Sequence, residues 1–213
     1  SGTATEQFKA ITESDKEVDR IYIPADLFYL KEVDIHDFSK MKGKTSTSYF
    51  LSMPRIIRKR DDAYLEFVER ILQFFDGVLV KNMESLSFLQ TIGYTGKIVT
   101  DSSVYNWNRQ SLTYLNVFRD EYTYPLELTL QENKNLGDIN GEYVVYGRTP
   151  MMVSANCIRK TTDSCTHNSN GFEQSLTDRY RKELPVFTNC IHCTNNFFSR
   201  RVNFIFKKKT KWL

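Results

Sequence analysis

Residues 61–100 read DDAYLEFVERILQFFDGVLVKNMESLSFLQTIGYTGKIVT, and their pattern decides the fold class. Over residues 61–75, Tyr64, Val68, Ile71, Leu72 and Phe75 recur at the helical period and share one face. Asp61 and Asp62 fall in the first turn, where the helix dipole favours negative charge. The run VLV (78–80) then reads as a short buried strand. A second helix is predicted over 83–92 and closed by Gly93, a residue suited to the left-handed position after a helix. The run IVT (98–100) is the next strand. Two short apolar strands separated by a helix form a βα unit, and such units build parallel sheets.

The alternation extends both ways. Further apolar runs begin at Ile21, Ser48, Thr123 and Tyr143, and a third helix is predicted after Asn108, an N-cap residue, with Leu112 and Leu115 in the core. Six such units are too few for a closed eight-stranded barrel. The expected fold is therefore α/β: a parallel (β/α) TIM-barrel-like domain, an incomplete barrel, with a small Cys-rich C-terminal module. A doubly wound sheet is the alternative. The expected division is a barrel-like part over 1–154, a four-cysteine module over 155–200 and a basic tail over 201–213. Neither G-x-G-x-x-G nor G-x-x-x-x-G-K-[ST] occurs, which argues against nucleotide binding by those loops.

Of 213 residues, 40% are hydrophobic and 26% charged, and 29 basic residues face 26 acidic ones. From Arg200 onward there are six basic residues and no acid, so the body is slightly acidic and the tail basic. A basic tail can contact phosphate backbones or simply stay solvated. No apolar run is long enough to span a membrane. The first residues hold no apolar signal core, so a cytoplasmic location is expected.

All four cysteines lie in the last third of the chain, as Cys157, Cys165, Cys190 and Cys193. The last two form C-x-x-C, which puts two thiolates on one tight turn. Four thiolates complete a tetrahedral zinc site or hold an iron–sulfur cluster. Disulfides and inert thiols are the alternatives; reduced cytoplasmic thiols weigh against the first. His192, inside the C-x-x-C, reads as a polar turn residue, and no partner can be named for His36 or His167. Polar groups after the predicted strands form a second set of candidates, because ligands of parallel βα folds gather at strand C-termini. These are Asp101 with Ser102 and Ser103, then Glu127, then Arg148. Glu127 and Arg148 on neighbouring strands would form an ion pair or bind a carboxylate or phosphate.

Several pieces, taken in order, resemble a known family. They are residues 104–108 (VYNWN), 125–128 (PLEL), 146–152 (YGRTPMM), Asn156-Cys157, Asp178-Arg179, 184–186 (LPV), Cys190-x-x-Cys193 and Asn195. Together they are similar to the collagenase-like proteases, family 32 of the peptidases of unknown catalytic type. The resemblance covers about residues 19 to 195. It implies a barrel-like catalytic domain of which this chain is the C-terminal part. It also implies a [4Fe-4S] cluster on Cys157, Cys165, Cys190 and Cys193, as in members that hydroxylate RNA pyrimidines (in tRNA or rRNA) or the ubiquinone ring without molecular oxygen. The RNA-modifying members take the hydroxyl from prephenate, and Arg148 would suit such a small carboxylate. Other members are labelled only as proteases. Thr194 departs from the family, which has an aromatic residue there, and residues 197–213 do not match its usual ending. Three readings follow: an iron–sulfur-dependent RNA hydroxylase, a collagenase-like peptidase, or a zinc-stabilised binding domain without catalysis. Against peptidase chemistry, H-E-x-x-H and G-x-S-x-G are both absent. Self-association through exposed sheet edges is a further expectation.

Overall fold

The fold is described from a computed structural model, which covers residues 18–43, 46–58, 61–137, 141–165 and 172–203. The chain divides into two compact units, residues 1–142 and 143–213.

In the first unit six parallel strands follow one another in chain order: β1 (Arg20–Pro24), β2 (Ser48–Ser52), β3 (Gly77–Val80), β4 (Lys97–Thr100), β5 (Glu121–Thr123) and β6 (Gly141–Glu142). Between them lie α1 (Ala25–Tyr29) and α2 (Ile35–Lys42), then α3 (Asp62–Ile71), α4 (Met83–Thr91), α5 (Arg109–Leu115) and α6 (Leu130–Asn135). Local signals set the helix ends. The Asn82 side chain caps α4 by accepting from the Ser85 N–H, and Asn108 caps α5 in a reciprocal capping box with Ser111. Gly93, at φ +67°, closes α4: its N–H donates to Gln90 and that of Tyr94 to Leu89, satisfying two end carbonyls. The apolar stripe read from α3 is buried as expected, with Tyr64, Val68, Ile71, Leu72 and Phe75 all in the core.

The sheet is curled. In a flat sheet β1 and β5 would lie about 19 Å apart, at about 4.8 Å per strand. Yet the Arg20 guanidinium on β1 donates to Glu121 on β5 at 2.6 and 2.9 Å and to Glu142 on β6 at 2.8 Å. Tyr22 on β1 reaches the Glu142 carboxylate at 2.8 Å. These strands form a half-barrel whose concave face carries Tyr22, Phe50, Leu79 and Val99 as an apolar cluster. Gly77 makes room for it, since a β-carbon there would stand 2.2 Å from the Phe50 ring. The opposite face packs on the helices. There Phe38 lies 5.4 Å from Tyr49 and stacks on Phe75 at 4.9 Å. Both faces are apolar, which is why the strands read as short continuous hydrophobic runs.

The second unit is a four-stranded antiparallel sheet in the order β7 (Tyr146–Ser154), β10 (Thr194–Asn203), β9 (Glu183–Asn189), β8 (Phe172–Thr177), with α7 (Ile158–Thr161) after β7. Here the structure departs from the sequence reading. The run at 143–146 is not the last parallel strand: β6 ends at Glu142, and β7 pairs with β10 instead. The division falls at 142/143 rather than at 154. The reason is pairing, since β7 finds its hydrogen-bond partner in residues about 40–60 positions further on. Residues 201–203, assigned to the basic tail from sequence, complete β10. The rest of that tail, and His167, lie outside the described residues.

Candidate functional site

The register of the second sheet gathers the cysteines at one of its ends. Thr194 pairs with Asn189, so Cys190 to Cys193 form the four-residue loop of the β9–β10 hairpin. Asn195, the next residue of β10, pairs with Ser154 at the end of β7, three positions before Cys157. Asn195 fixes this junction. It is 0% exposed; its amide nitrogen donates to the Asn156 carbonyl at 2.7 Å, and its amide oxygen accepts from Thr188 Oγ1 at 2.7 Å. The Asn189 side chain accepts from the His192 N–H at 3.1 Å, and Cys193 holds a left-handed φ of +49°. Both features tighten the hairpin loop. Cys165 follows α7.

None of the four cysteines is in a disulfide. Burial pushes the Cys190 thiol up, and Cys157, Cys165 and Cys193 each push it further, so all four share one neighbourhood. Among the described residues, no group of three or more His, Cys, Asp or Glu side chains converges closely enough to hold a metal ion. The four thiols are of the right kind for a four-thiolate group and lie in one region, but they do not converge on a common point in the form described.

Arg148 lies within β7, opposite Arg201 on β10, not at the end of a parallel strand. Its guanidinium is 3.4 Å from Glu173 and 5.6 Å from the centre of the Phe187 ring. Glu127 is exposed in the loop after β5. Glu127 lies in a loop of the first unit and Arg148 on a strand of the second, so they are not on neighbouring strands as the sequence reading had them.

A third set of groups occupies the C-terminal ends of the parallel strands in the first unit. Lys81 follows β3, Asp101 follows β4, Arg55 lies shortly after β2 and Asp26 shortly after β1. Hydrogen bonds tie these loops together. Asn82 Nδ2 donates to the carbonyls of Pro54 and Arg55 at 3.0 and 2.9 Å. The Ser103 hydroxyl lies 2.9 Å from the Lys81 carbonyl and 2.6 Å from Asp101 Oδ2. The Tyr64 hydroxyl donates to Asp26 Oδ1 at 2.6 Å, and burial holds its proton well above the usual phenol range. Burial pulls the Lys81 ammonium below the usual lysine range, against Asp101 and Asp26, which favour its charge; Arg55 lowers it further. The loop after β4 also presents Tyr105 and Trp107, 57% and 47% exposed, in an edge-to-face pair at 5.6 Å. The sequence reading named Asp101 and Ser103 but passed over Lys81 and Arg55. The signal for Lys81 was its place directly after the VLV run.

No family model, curated protein or solved structure matches the chain. No helix among the described residues is long and apolar enough to cross a membrane.

Proposed function

We propose that the chain is an iron–sulfur-dependent enzyme that hydroxylates pyrimidines in RNA, with the cluster held by Cys157, Cys165, Cys190 and Cys193. The observation that carries this reading is the β7–β10–β9 register, which brings a C-x-x-C hairpin loop beside the start of α7. A tight loop of this kind lets two thiolates reach one centre. The resemblance of the residues quoted above to the family 32 peptidases is what points to hydroxylase chemistry. A bound cluster would supply one-electron chemistry, tuned by the hydrogen bonds and burial around its sulfurs. The chain's own contribution is placement: Asn195 anchors the Cys157 side, and the Asn189–His192 bond shapes the loop between Cys190 and Cys193. The exposed Tyr105–Trp107 pair supports an RNA substrate, because unpaired bases stack on aromatic side chains. The peptidase reading needs an accessible Cys–His pair. His192, beside Cys193, is only 2% exposed.

Anaerobic purification tests the proposal. The expected product is brown, with iron and labile sulfide, and Cys190→Ala loses most of both. A colourless protein carrying one equivalent of zinc would replace this reading with the zinc-stabilised binding domain.

A further inference from the structure

The two ends of the parallel sheet differ in how their polar groups are satisfied. At the N-terminal end, charges are paired: Arg20 with Glu121 and Glu142, and Lys42 with Asp76 at 2.6 Å. At the C-terminal end two cations stand outside any ion pair. Arg55 and Lys81 are both partly buried, and neither side chain has an ion pair or hydrogen bond among the described residues. Two neutral groups on the same loops are also left over. The Ser85 hydroxyl, in the first turn of α4, and both ends of the Asn106 amide, in the loop after β4, are buried without partners. Both residues are 0% exposed. A buried polar group without a partner costs roughly 1–3 kcal/mol. Two buried unsatisfied side chains and two cations outside any ion pair thus share three consecutive strand–helix loops.

We propose that the C-terminal end of this sheet binds a small anion, a carboxylate or a phosphate, between Arg55 and Lys81. Neither cation is in an ion pair, although Asp101 and Asp26 favour the Lys81 charge, and the guanidinium of Arg55 can grip an anion with two parallel hydrogen bonds. Lys81 leads directly into the N-terminus of α4, where the helix dipole adds to the same field. Asp101, held by Ser103, is placed to accept from a hydroxyl or amine on the same ligand, which favours a substituted anion over a bare one. The lowered proton affinity of Lys81 fits a site from which water is partly excluded and whose charge is completed by a ligand. The inference stands on the first unit alone and is independent of the cluster.

The test is calorimetric titration of the full chain with inorganic phosphate and, separately, with malate. Saturable binding of at least one is expected, and the arm that binds tells phosphate from carboxylate. Lys81→Met and Arg55→Met should each weaken it by about tenfold or more, with Lys81→Arg retaining most of it. Lys97→Met removes the same charge at the opposite end of the sheet and should leave binding unchanged. Thermal melting confirms that each variant is folded, so a loss of binding is read only on folded protein. Absence of saturable binding in both arms would overturn the proposal. So would equal weakening by Lys97→Met, which would mean a diffuse charge effect.

Discussion

Arg20 is the residue on which the curl of the first unit turns. It donates to two carboxylates from strands that would be far away in a flat sheet. The bond from Arg20 holds the Glu121 carboxyl below the usual carboxylate range, and burial raises the Tyr22 phenol. Replacing Arg20 with Met leaves Glu121 and Glu142 without the cation that bonds both of them. A fully buried pair broken this way costs about 3–5 kcal/mol. These side chains are 20–35% exposed, so a loss of about 1–2 kcal/mol is expected once solvent screening is counted. The pH dependence has a definite sign. A carboxyl depressed in the folded state contributes stability above its unfolded value, and that contribution fades as pH falls through the depressed value. The melting temperatures of wild type and Arg20→Met should therefore differ at neutral pH and converge below about pH 4. A constant gap across that range would show that Arg20 acts by packing on Phe50, 4.4 Å away, and not by charge. None of this was legible in the sequence, because Arg20 stands 101 residues from Glu121 and 122 from Glu142.

At the scale of elements, legibility follows the range of the interactions. Helix α3 and the cap of α5 were readable because a 3.6-residue stripe and an Asn cap act within a few positions. Strand β7 was misread as parallel because its own residues do not say which partner it pairs with. The C-x-x-C was readable as a turn, whereas its neighbourhood with Cys157 depends on β7 meeting β10. Asn195 makes that meeting firm. Asn195→Ala should destabilise the second unit by about 1–3 kcal/mol, since it leaves the buried Thr188 hydroxyl without its acceptor and takes one of two donors from the Asn156 carbonyl. It should also speed the reaction of Cys157, now 8% exposed, with a thiol reagent in the reduced, metal-free protein. Unchanged Cys157 labelling in a destabilised variant would mean that β7 pairing alone holds the loop.

For the whole molecule, the first unit presents two sheet edges among its described residues: β1 pairs only with β2, and β6 only with β5. Open edges offer unpaired backbone groups to another chain. Sedimentation velocity over a micromolar to millimolar series should show a coefficient that rises with concentration; a constant monomer value would mean that the edges are protected. The amino-acid sequence by itself determined that the chain is α/β, where the buried helix faces lie, that parallel strands fill the first two thirds, and that four cysteines cluster late. Those features arise from periodicity, capping and spacing, which operate over a few residues. Only the tertiary structure decided that β7 leaves the parallel sheet, that the sheet curls until β1 reaches β6 through Arg20 and Tyr22, and that Arg55 and Lys81 lie on adjacent strand-end loops outside any ion pair. Those outcomes depend on pairing between residues distant in sequence, where many registers suit the same local pattern and hydrogen bonding with packing selects one.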